Sequence, residues 1–173
     1  MNIVPTFTSL RSFASYLFSV LQMRARLDQF WAKLSGTNTE MSVFPGNDLH
    51  LRIAASLQLI GLQNIRVDQI AGTLHRTRDF DHHFRPLTKH SLERWVNTYI
   101  LHEQDRWAPI VVHKIGQRYF VEDGHHRVSV ARMIGMDFID AKVWEHGTQS
   151  EHASACSRPK GAEKSSTKVY ATG

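Results

Sequence analysis

The stretch from Tyr119 to Arg132 reads Tyr-Phe-Val-Glu-Asp-Gly-His-His-Arg-Val-Ser-Val-Ala-Arg, and the fold is organised around it. The aromatic and β-branched residues at its start favour a strand, and Asp123-Gly124 is a strong turn signal. Apolar residues then recur at helical spacing up to Gly135, where the helix is expected to end. The stretch therefore predicts a strand, a tight turn and a helix in immediate succession.

The turn at Gly124 has the chemistry of an anion site. The N–H groups at a helix start lack intrahelical partners, and the peptide dipoles place positive charge there, so a bound anion is stabilised. Arg127 and the adjacent His125 and His126 add side-chain donors at the same place. The phosphate of a nucleotide is therefore the expected ligand. Asp123 is a candidate ligand for Mg²⁺, which prefers oxygen donors.

Each of these residues also has a purely structural interpretation. Gly124 fits a turn that needs a positive φ angle, and Asp123 fits a turn or cap position. His125 and His126 project about 100° apart on a helix, so one is expected to face the ligand as a donor or acid/base while the other packs or is exposed. For Arg127 the alternative is a salt bridge to a neighbouring carboxylate.

The Asp-Gly-His-His-Arg motif, followed by a predicted strand at Ala141-Lys142-Val143, resembles the ParB/sulfiredoxin superfamily. Within it, the chain is most similar to stand-alone ParB-like proteins that carry this signature, and the likeness covers about residues 63–145. The resemblance implies an α+β fold with a small mixed sheet and packed helices, here preceded by a long N-terminal amphipathic helix. It also implies that the motif binds a nucleotide, either ATP, ADP or CTP, with Mg²⁺.

The superfamily's phosphate-binding arginines can be carried over to this chain by position. Arg127 takes the place of the arginine in the Gly-Glu-Arg-Arg or Gly-Cys-His-Arg motif of the superfamily. Arg76 and Arg78 are the candidates for the arginine near the first strand that reaches the phosphates, and the sequence leaves the choice between them open. With Gly124, these arginines form the expected ligand-binding set.

The resemblance supports two classes of function. The first is a regulatory or DNA-associated nucleotide-binding module, although the helix-turn-helix pattern of chromosome-partitioning proteins does not follow Glu145. The second is a Mg²⁺-dependent phosphotransferase or nucleotide hydrolase, because the motif is also similar to that of ADP-dependent free serine kinases. In that case Asp123, His125 and His126 are the candidate catalytic residues. The proton acceptor stays open among three carboxylates, Asp68, Asp79 and Glu122. Sulfiredoxin chemistry is not expected, since it needs a cysteine where His125 stands.

A transition-metal site is a weaker alternative. Imidazole and carboxylate ligands are abundant in two short segments, and the candidates are Asp79, Asp81, His82, His83, His125 and His126. Their spacing matches no recognised metal motif such as His-Glu-x-x-His.

The composition fits a folded protein that binds anions. Of the 173 residues, 42% are hydrophobic and 21% are charged, and the net charge of +5 favours polyanionic ligands, DNA among them. The single cysteine, Cys156, excludes an internal disulfide framework. The sequence shows neither a signal-peptide pattern nor an apolar run long enough to span a membrane, so a cytoplasmic location is expected.

Residues 8–34 predict a long amphipathic helix. Its apolar stripe consists of Leu10, Phe13, Leu17, Val20, Leu27, Trp31 and Leu34. The stripe is expected to pack on the domain or to pair with a second copy in a homodimer, with a membrane-surface helix as the alternative. The predicted organisation is this helix and a connector over residues 1–48, a ParB/sulfiredoxin-like domain over 49–145, and a disordered polar tail over 146–173.

Local patterns predict the remaining elements of the domain. The first three are a helix with Leu49, Ile53, Leu57 and Ile60 on one face, a strand at Ile65-Arg66-Val67, and a surface loop from His75 to Pro86 that is rich in ionisable and aromatic groups. The others are a helix capped by Thr88 or Ser91, a hairpin of Ile110–Ile115 and Arg118–Val121 joined by Gly116-Gln117, and a last strand from Phe138 to Trp144.

Overall fold

The computed structural model describes residues 9–37, 40–43, 57–74 and 78–146 of the chain. Within these ranges the chain forms three α-helices and six β-strands. The helices are α1 (Leu10–Ser35), α2 (Leu92–Glu103) and α3 (His125–Ile134), and the strands are β1 (Ser42–Val43), β2 (Leu57–Arg66), β3 (Ile70–Thr73), β4 (Ile110–Ile115), β5 (Arg118–Asp123) and β6 (Phe138–His146). Short 3-10 turns precede β3 and α2.

The strands form one mixed sheet in the order β1-β3-β5-β4-β6-β2. The pairs β1–β3, β3–β5 and β4–β6 are parallel, whereas β4–β5 and β2–β6 are antiparallel. The expected α+β class, with a mixed sheet, packed helices and a long N-terminal helix, is confirmed.

The motif forms a strand, turn and helix as predicted. Strands β4 and β5 make the expected hairpin, in which Ile115 pairs with Arg118 and Gly116 takes a positive φ of 56°. Strand β5 then turns at Gly124 directly into α3, which ends at Gly135 in the left-handed conformation. Because β5 lies between β3 and β4 in the sheet, the start of α3 is held at the edge of the central strands.

The prediction of a helix with Leu49, Ile53, Leu57 and Ile60 on one face is wrong for Leu57 and Ile60, the two of these residues that the structure describes. Residues from Leu57 onward form β2, which pairs with β6 over its whole length, and residues 44–56 lie outside the described ranges. The register shifts between Leu59 and Gly61, so that Ile60 is an extra residue in the strand. Long-range pairing with β6 therefore overrides a local apolar spacing that also suits a helix.

The three helices pack together in a second layer. Phe18 of α1, Trp95 of α2 and Val130 of α3 share one buried cluster, and Phe18 meets Trp95 edge-on with ring centroids 6.0 Å apart. The Trp95 indole N–H donates to the Ser129 hydroxyl of α3 at 2.9 Å. The opposite side of α3 contributes Val128 to the larger core on the sheet. Helix α3 thus joins both cores.

Helix α1 forms as predicted, but its buried face differs from the predicted stripe. Phe13 and Leu17 of the stripe pack on the helical core, whereas its other large members at the ends of the helix are exposed, namely Leu10, Leu27, Trp31 and Leu34. The buried positions are instead Ala14, Phe18, Leu21, Gln22, Ala25 and Ala32, of which three are alanines. A prediction based on large apolar side chains does not detect the alanines of this face.

The segment expected to be a surface loop is in part a core element. Phe80, Asp81 and Phe84 are buried, and Phe80 forms an isolated bridge with Pro86. The Asp81 carboxylate accepts from the backbone N–H groups of His83 (3.0 Å) and Arg85 (2.8 Å) and from Arg85 Nε (2.7 Å). Asp81 is therefore committed to holding this turn together.

The predicted tail lies outside the described residues except for His146, so the domain boundaries stay predictions. No helix in the described part of the chain combines the length and apolar character that a bilayer span requires.

Candidate functional site

A cavity of about 210 Å³ lies between the start of α3 and the outer side of α2. Its lining residues are Arg94, Thr98, Asp123, Gly124, His125, His126 and Arg127. The structure therefore brings together five of the seven residues that the sequence singled out, and it adds two from α2.

Gly124 is required by the geometry of the turn. Its φ of 100° belongs to the left-handed region, and a Cβ built on it would lie 2.5 Å from Ile110 Cγ2. Any side chain at this position would therefore be strained and would also collide with β4. The turn itself accounts for the glycine, whatever ligand the site binds.

The same glycine leaves the start of α3 without a side-chain cap. The first intrahelical bond runs from Val128 N–H to the Gly124 carbonyl at 3.0 Å, so the N–H groups before Val128 point out of the helix start. The helix dipole adds positive potential at this end. The cavity therefore opens on a helix terminus suited to an anion.

The Arg127 side chain is already bound to the protein. Its Nη1 donates to the carbonyls of Ala108 and Pro109, the latter at 2.7 Å, and its Nη2 donates to Asp123 Oδ2 at 2.6 Å. These bonds use three of the five guanidinium N–H donors. The salt-bridge interpretation thus describes the geometry, and Arg127 fastens the first turn of α3 to the segment before β4.

The two histidines have different surroundings. His125 is buried, its Nε2 lies 2.6 Å from Thr73 Oγ1, and its ring stacks near Phe80 and Phe84 at centroid distances of 5.9 and 6.2 Å. His126 is only half-buried and meets the Phe80 ring edge-on at 5.1 Å. As expected for adjacent helical positions, one imidazole packs into the core, and His126 is the more accessible one.

Asp123 and Glu122 point to opposite faces of β5, as the alternation of a strand requires. The Asp123 side chain lines the cavity and is 72% exposed, compared with 17% for Arg127, its ion-pair partner. Glu122 instead lies 2.9 Å from His113 Nε2 on the neighbouring strand. Of these two carboxylates, Asp123 alone can reach a ligand in the cavity.

Arg94 and Thr98 are the site residues that sequence reasoning missed. They occupy positions i and i+4 of α2, next to the buried face formed by Trp95, Val96 and Tyr99. The helical period shows that Arg94 and Thr98 share a face. It does not show that this face meets the start of α3, because that contact depends on how the two helices pack.

The arginine-rich segment contributes less than expected to this cavity. Arg78 is exposed and is not among the lining residues, and Arg76 lies outside the described ranges. Farther along, Arg132 at the end of α3 donates to the Ile70 carbonyl at 2.7 Å and lies 4.8 Å over the Phe84 ring. Burial lowers the pKa of Arg132 from its usual value. Arg132 therefore anchors the segment around Phe84 to the core.

The transition-metal alternative gains no geometric support. Within the ranges that the structure describes, no three His, Cys, Asp or Glu side chains are arranged to hold a metal ion. Asp81 is engaged by the turn at Arg85, and the rings of His82 and His83 face each other with centroids 3.9 Å apart.

Fold and motif together define a small α+β domain with an anion-type helix terminus at its candidate site. The family model of the ParB N-terminal domain matches residues 54–157, more than half of the chain. The chain therefore belongs to the ParB N-terminal domain family, which confirms the superfamily that the sequence indicated.

One solved structure with significant similarity is that of sulfiredoxin from Arabidopsis thaliana. It is 18% identical in sequence, with a TM-score of 0.36, and the match covers 54% of this chain and 93% of the sulfiredoxin chain. No curated protein matches the chain significantly.

Proposed function

We propose that this ParB-like domain binds the phosphates of a nucleotide at the start of α3 and serves as a cytoplasmic regulatory or DNA-associated module. The observation that carries the proposal is the cavity in which Arg94 of α2 faces the uncapped first turn of α3.

The charges around the cavity favour an anion. Arg94, Arg127 and the helix terminus contribute positive potential, and the one lining carboxylate, Asp123, is paired with Arg127. An incoming phosphate therefore meets Arg94, whose charge is not balanced by the lining carboxylate. The Thr98 hydroxyl donates to the Arg94 backbone carbonyl at 2.7 Å, so its single O–H donor is used within α2 and Arg94 is the side-chain donor that α2 offers to a phosphate.

The size of the cavity indicates which part of the ligand it holds. Pockets that enclose drug-sized ligands usually exceed about 300 Å³, whereas this cavity measures about 210 Å³. The phosphates fit inside, and the sugar and base would extend beyond the lining residues. The cavity itself therefore gives no reason to prefer ATP, ADP or CTP.

Asp123 fits the role expected for Mg²⁺. Mg²⁺ in nucleotide sites is commonly held by one or two carboxylates together with the phosphates and water. Asp123 supplies an exposed carboxylate beside the phosphate position, and the ion would neutralise phosphate charge. The arrangement thus allows a Mg²⁺ nucleotide without a second protein carboxylate in the cavity.

Binding is better supported than turnover. Of the three candidate catalytic residues, His125 lines the cavity but is buried, packed against Phe80 and engaged with Thr73, so Asp123 and His126 are the accessible ones. None of the three candidate proton acceptors is among the residues that line the cavity. Asp68 pairs with Arg66 at 2.6 Å and Glu122 with His113, and Asp79 is not a lining residue.

The test compares Arg94→Ala with a matched arginine variant. The matched residue is Arg118, which is also exposed. It lies at the opposite end of β5, about 17 Å from Asp123 along the strand. Arg118→Ala therefore makes the same change of charge outside the site. Thermal shift and calorimetry with ATP, ADP and CTP, each with and without Mg²⁺, measure binding. A ligand at a hundredfold above its Kd should stabilise the wild type by about 2.7 kcal/mol.

Arg94→Ala should weaken nucleotide binding about tenfold or more, because a charge-assisted hydrogen bond contributes about 1.5–3 kcal/mol. Its own melting temperature should stay near that of the wild type, since Arg94 is exposed. Equal effects of the two variants, or no binding of any nucleotide, would contradict the proposal. Mg²⁺-dependent release of product that Arg94→Ala abolishes would instead establish the phosphotransferase or hydrolase function.

Association with DNA is tested separately. Affinity for a labelled duplex should fall steeply between low and moderate salt if phosphates are bound by the basic surface. Absent or salt-insensitive binding would leave the regulatory module without a DNA partner.

A further inference from the structure

Helix α1 carries a second apolar face that points away from the domain. This outer stripe consists of Tyr16, Val20, Met23, Leu27, Phe30 and Leu34, and it has Trp31 beside it. All of these residues except the partly buried Val20 are between 44% and 65% exposed. The buried face, with Ala14, Phe18 and Ala25, lies on the opposite side of the helix.

The spacing of the outer stripe is that of a helix-pairing seam. Its members follow one another at alternating steps of four and three residues, the pattern that keeps apolar side chains facing a partner helix. A contiguous row of large apolar side chains over several turns is uncommon on a surface without a partner. The stripe therefore has the geometry of a docking surface for another helix.

The polar borders of the stripe are cationic. Arg24 lies on one side and Arg26 and Lys33 on the other, and all three are exposed. Asp28, the one acidic residue of α1, is bound by Arg85 of the domain at 2.6 Å. No negative charge of α1 is thus left to offset these cations along the stripe.

A groove beside the stripe contains a buried polar donor. The groove measures about 370 Å³ and is lined by Ser19, Gln22, Met23, Arg26 and Leu27. Gln22 is only 8% exposed, and its Nε2 has no hydrogen-bond acceptor among the described residues. A buried amide in this position is costly unless a partner supplies an oxygen acceptor.

We infer that the outer stripe and its groove bind an acidic amphipathic helix of another protein. Apolar side chains of the partner would pack on Met23, Leu27 and Phe30, and its carboxylates would meet Arg26 and accept from the Gln22 amide. This interaction is independent of the nucleotide site.

The charges and the groove discriminate against the other occupants. A second copy of α1 would bring the cationic borders of both helices together, and like charges along a paired helix are destabilising. An anionic bilayer would suit the cations and Trp31, but a fluid surface places no fixed acceptor beside the buried Gln22 amide. An acidic helix satisfies the apolar stripe, the cations and the amide together.

The test uses the full-length protein and two labelled designed peptides. Both peptides carry leucine at the a and d positions of three heptads, but one has glutamate and the other lysine at e and g. Fluorescence anisotropy should show at least about tenfold tighter binding of the glutamate peptide. Leu27→Asp should weaken that binding about tenfold, whereas Leu62→Asp, at a 73% exposed leucine of β2, should leave it unchanged.

A triple variant, Arg24→Glu, Arg26→Glu and Lys33→Glu, provides a second test that does not disturb the stripe. It should reverse the preference toward the lysine peptide. Equal binding of both peptides, or an unchanged preference in the triple variant, would overturn the inference. The inference would also be overturned if light scattering showed a dimer that Leu27→Asp converts to a monomer, because the stripe would then bind a second copy of the chain. Co-sedimentation with phosphatidylglycerol vesicles that Leu27→Asp abolishes, without binding of the glutamate peptide, would assign it to anionic lipid and likewise overturn the inference.

Discussion

At Gly124 a single residue sets both the path of the chain and the character of the site. The left-handed conformation sends β5 into α3 without a connecting loop, and the missing side chain leaves room for Ile110 of the neighbouring strand. Next to it, His125 turns inward to Thr73, while His126 and Asp123 stay at the cavity. Adjacent residues of the motif therefore have different roles, because His125 is part of the core whereas Asp123 and His126 remain accessible at the cavity.

Gly124→Ala should destabilise the protein more than Gly135→Ala. Both glycines have positive φ, which costs an alanine about 1–2 kcal/mol. At Gly124 the added Cβ also collides with Ile110, which adds about 1–3 kcal/mol, whereas at Gly135 no atom of the described residues lies within 4 Å of it. Urea unfolding should therefore show losses of about 3 and about 1 kcal/mol, and similar losses would contradict the account of the turn.

His125→Ala should act on stability, and His126→Ala on ligand binding. Removing the buried His125 ring leaves a cavity beside Phe80 and takes a partner from Thr73, at a cost of about 2 kcal/mol or more. Its melting temperature should fall by several degrees, while His126→Ala should melt closer to the wild type and bind nucleotide more weakly. A His125→Ala protein that melts normally but loses activity would show that His125 is catalytic after all.

At the scale of elements, α1 is attached to the domain by its buried face and by two charged side chains. Arg11 pairs with Glu93 of α2, and Asp28 pairs with Arg85 of the segment that precedes α2. The same helix therefore fixes α2, which carries Arg94 to the cavity, and turns its outer stripe toward solvent.

The Asp28–Arg85 pair should make the attachment of α1 dependent on pH. The hydrogen bond from Arg85 and its charge lower the pKa of Asp28 below its usual 3.8. A carboxyl whose pKa is lowered on folding stabilises the protein above about pH 4, and this contribution is lost as pH falls through the lowered value.

Asp28→Asn should therefore be less stable than the wild type at pH 7, and the difference should shrink below pH 4. Urea midpoints measured between pH 7 and pH 3 check this. Arg24→Gln, on the exposed side of the same helix, serves as the control and should show a constant difference over that range. A difference for Asp28→Asn that persists unchanged in acid would argue against the pair.

At the scale of the whole molecule, the two cores are joined rather than separate. Helix α3 supplies Val128 and Ala131 to the core on the sheet and Val130 to the core between the helices, and Trp107 packs against both. The strand β2 closes the sheet at one edge through its long pairing with β6. The described part of the chain is thus coupled through α3.

Unfolding should accordingly be a single cooperative transition. Far-UV circular dichroism, which follows helices and sheet, and tryptophan fluorescence, which follows Trp95 and Trp107 among others, should give the same midpoint in urea. Val130→Ala should lower both midpoints together by an amount that corresponds to about 1 kcal/mol. Separate midpoints, or a shift in one signal only, would mean that the helical layer unfolds independently.

The sequence by itself determined the elements whose signals are local. From Tyr119 to Gly135, β-branched residues predicted the strand, a glycine predicted the turn, and a helical period predicted the helix. The hairpin at Gly116 followed from the residues of its two-residue loop. The family followed from the same motif. These features depend on residues a few positions apart, so their patterns are visible in the chain.

Only the tertiary structure decided the features that depend on contacts between distant residues. Leu57 to Ile60 form a strand because β6 pairs with them, and α1 buries the face of Ala14, Phe18 and Leu21 because that face packs against α2. The same long-range packing places Arg94 at the cavity and allows Arg127 to donate to the Pro109 carbonyl. The spacing of apolar residues in a sequence shows which side chains share a face of a helix or strand. Which neighbour that face contacts depends on the free energy of the whole packed arrangement.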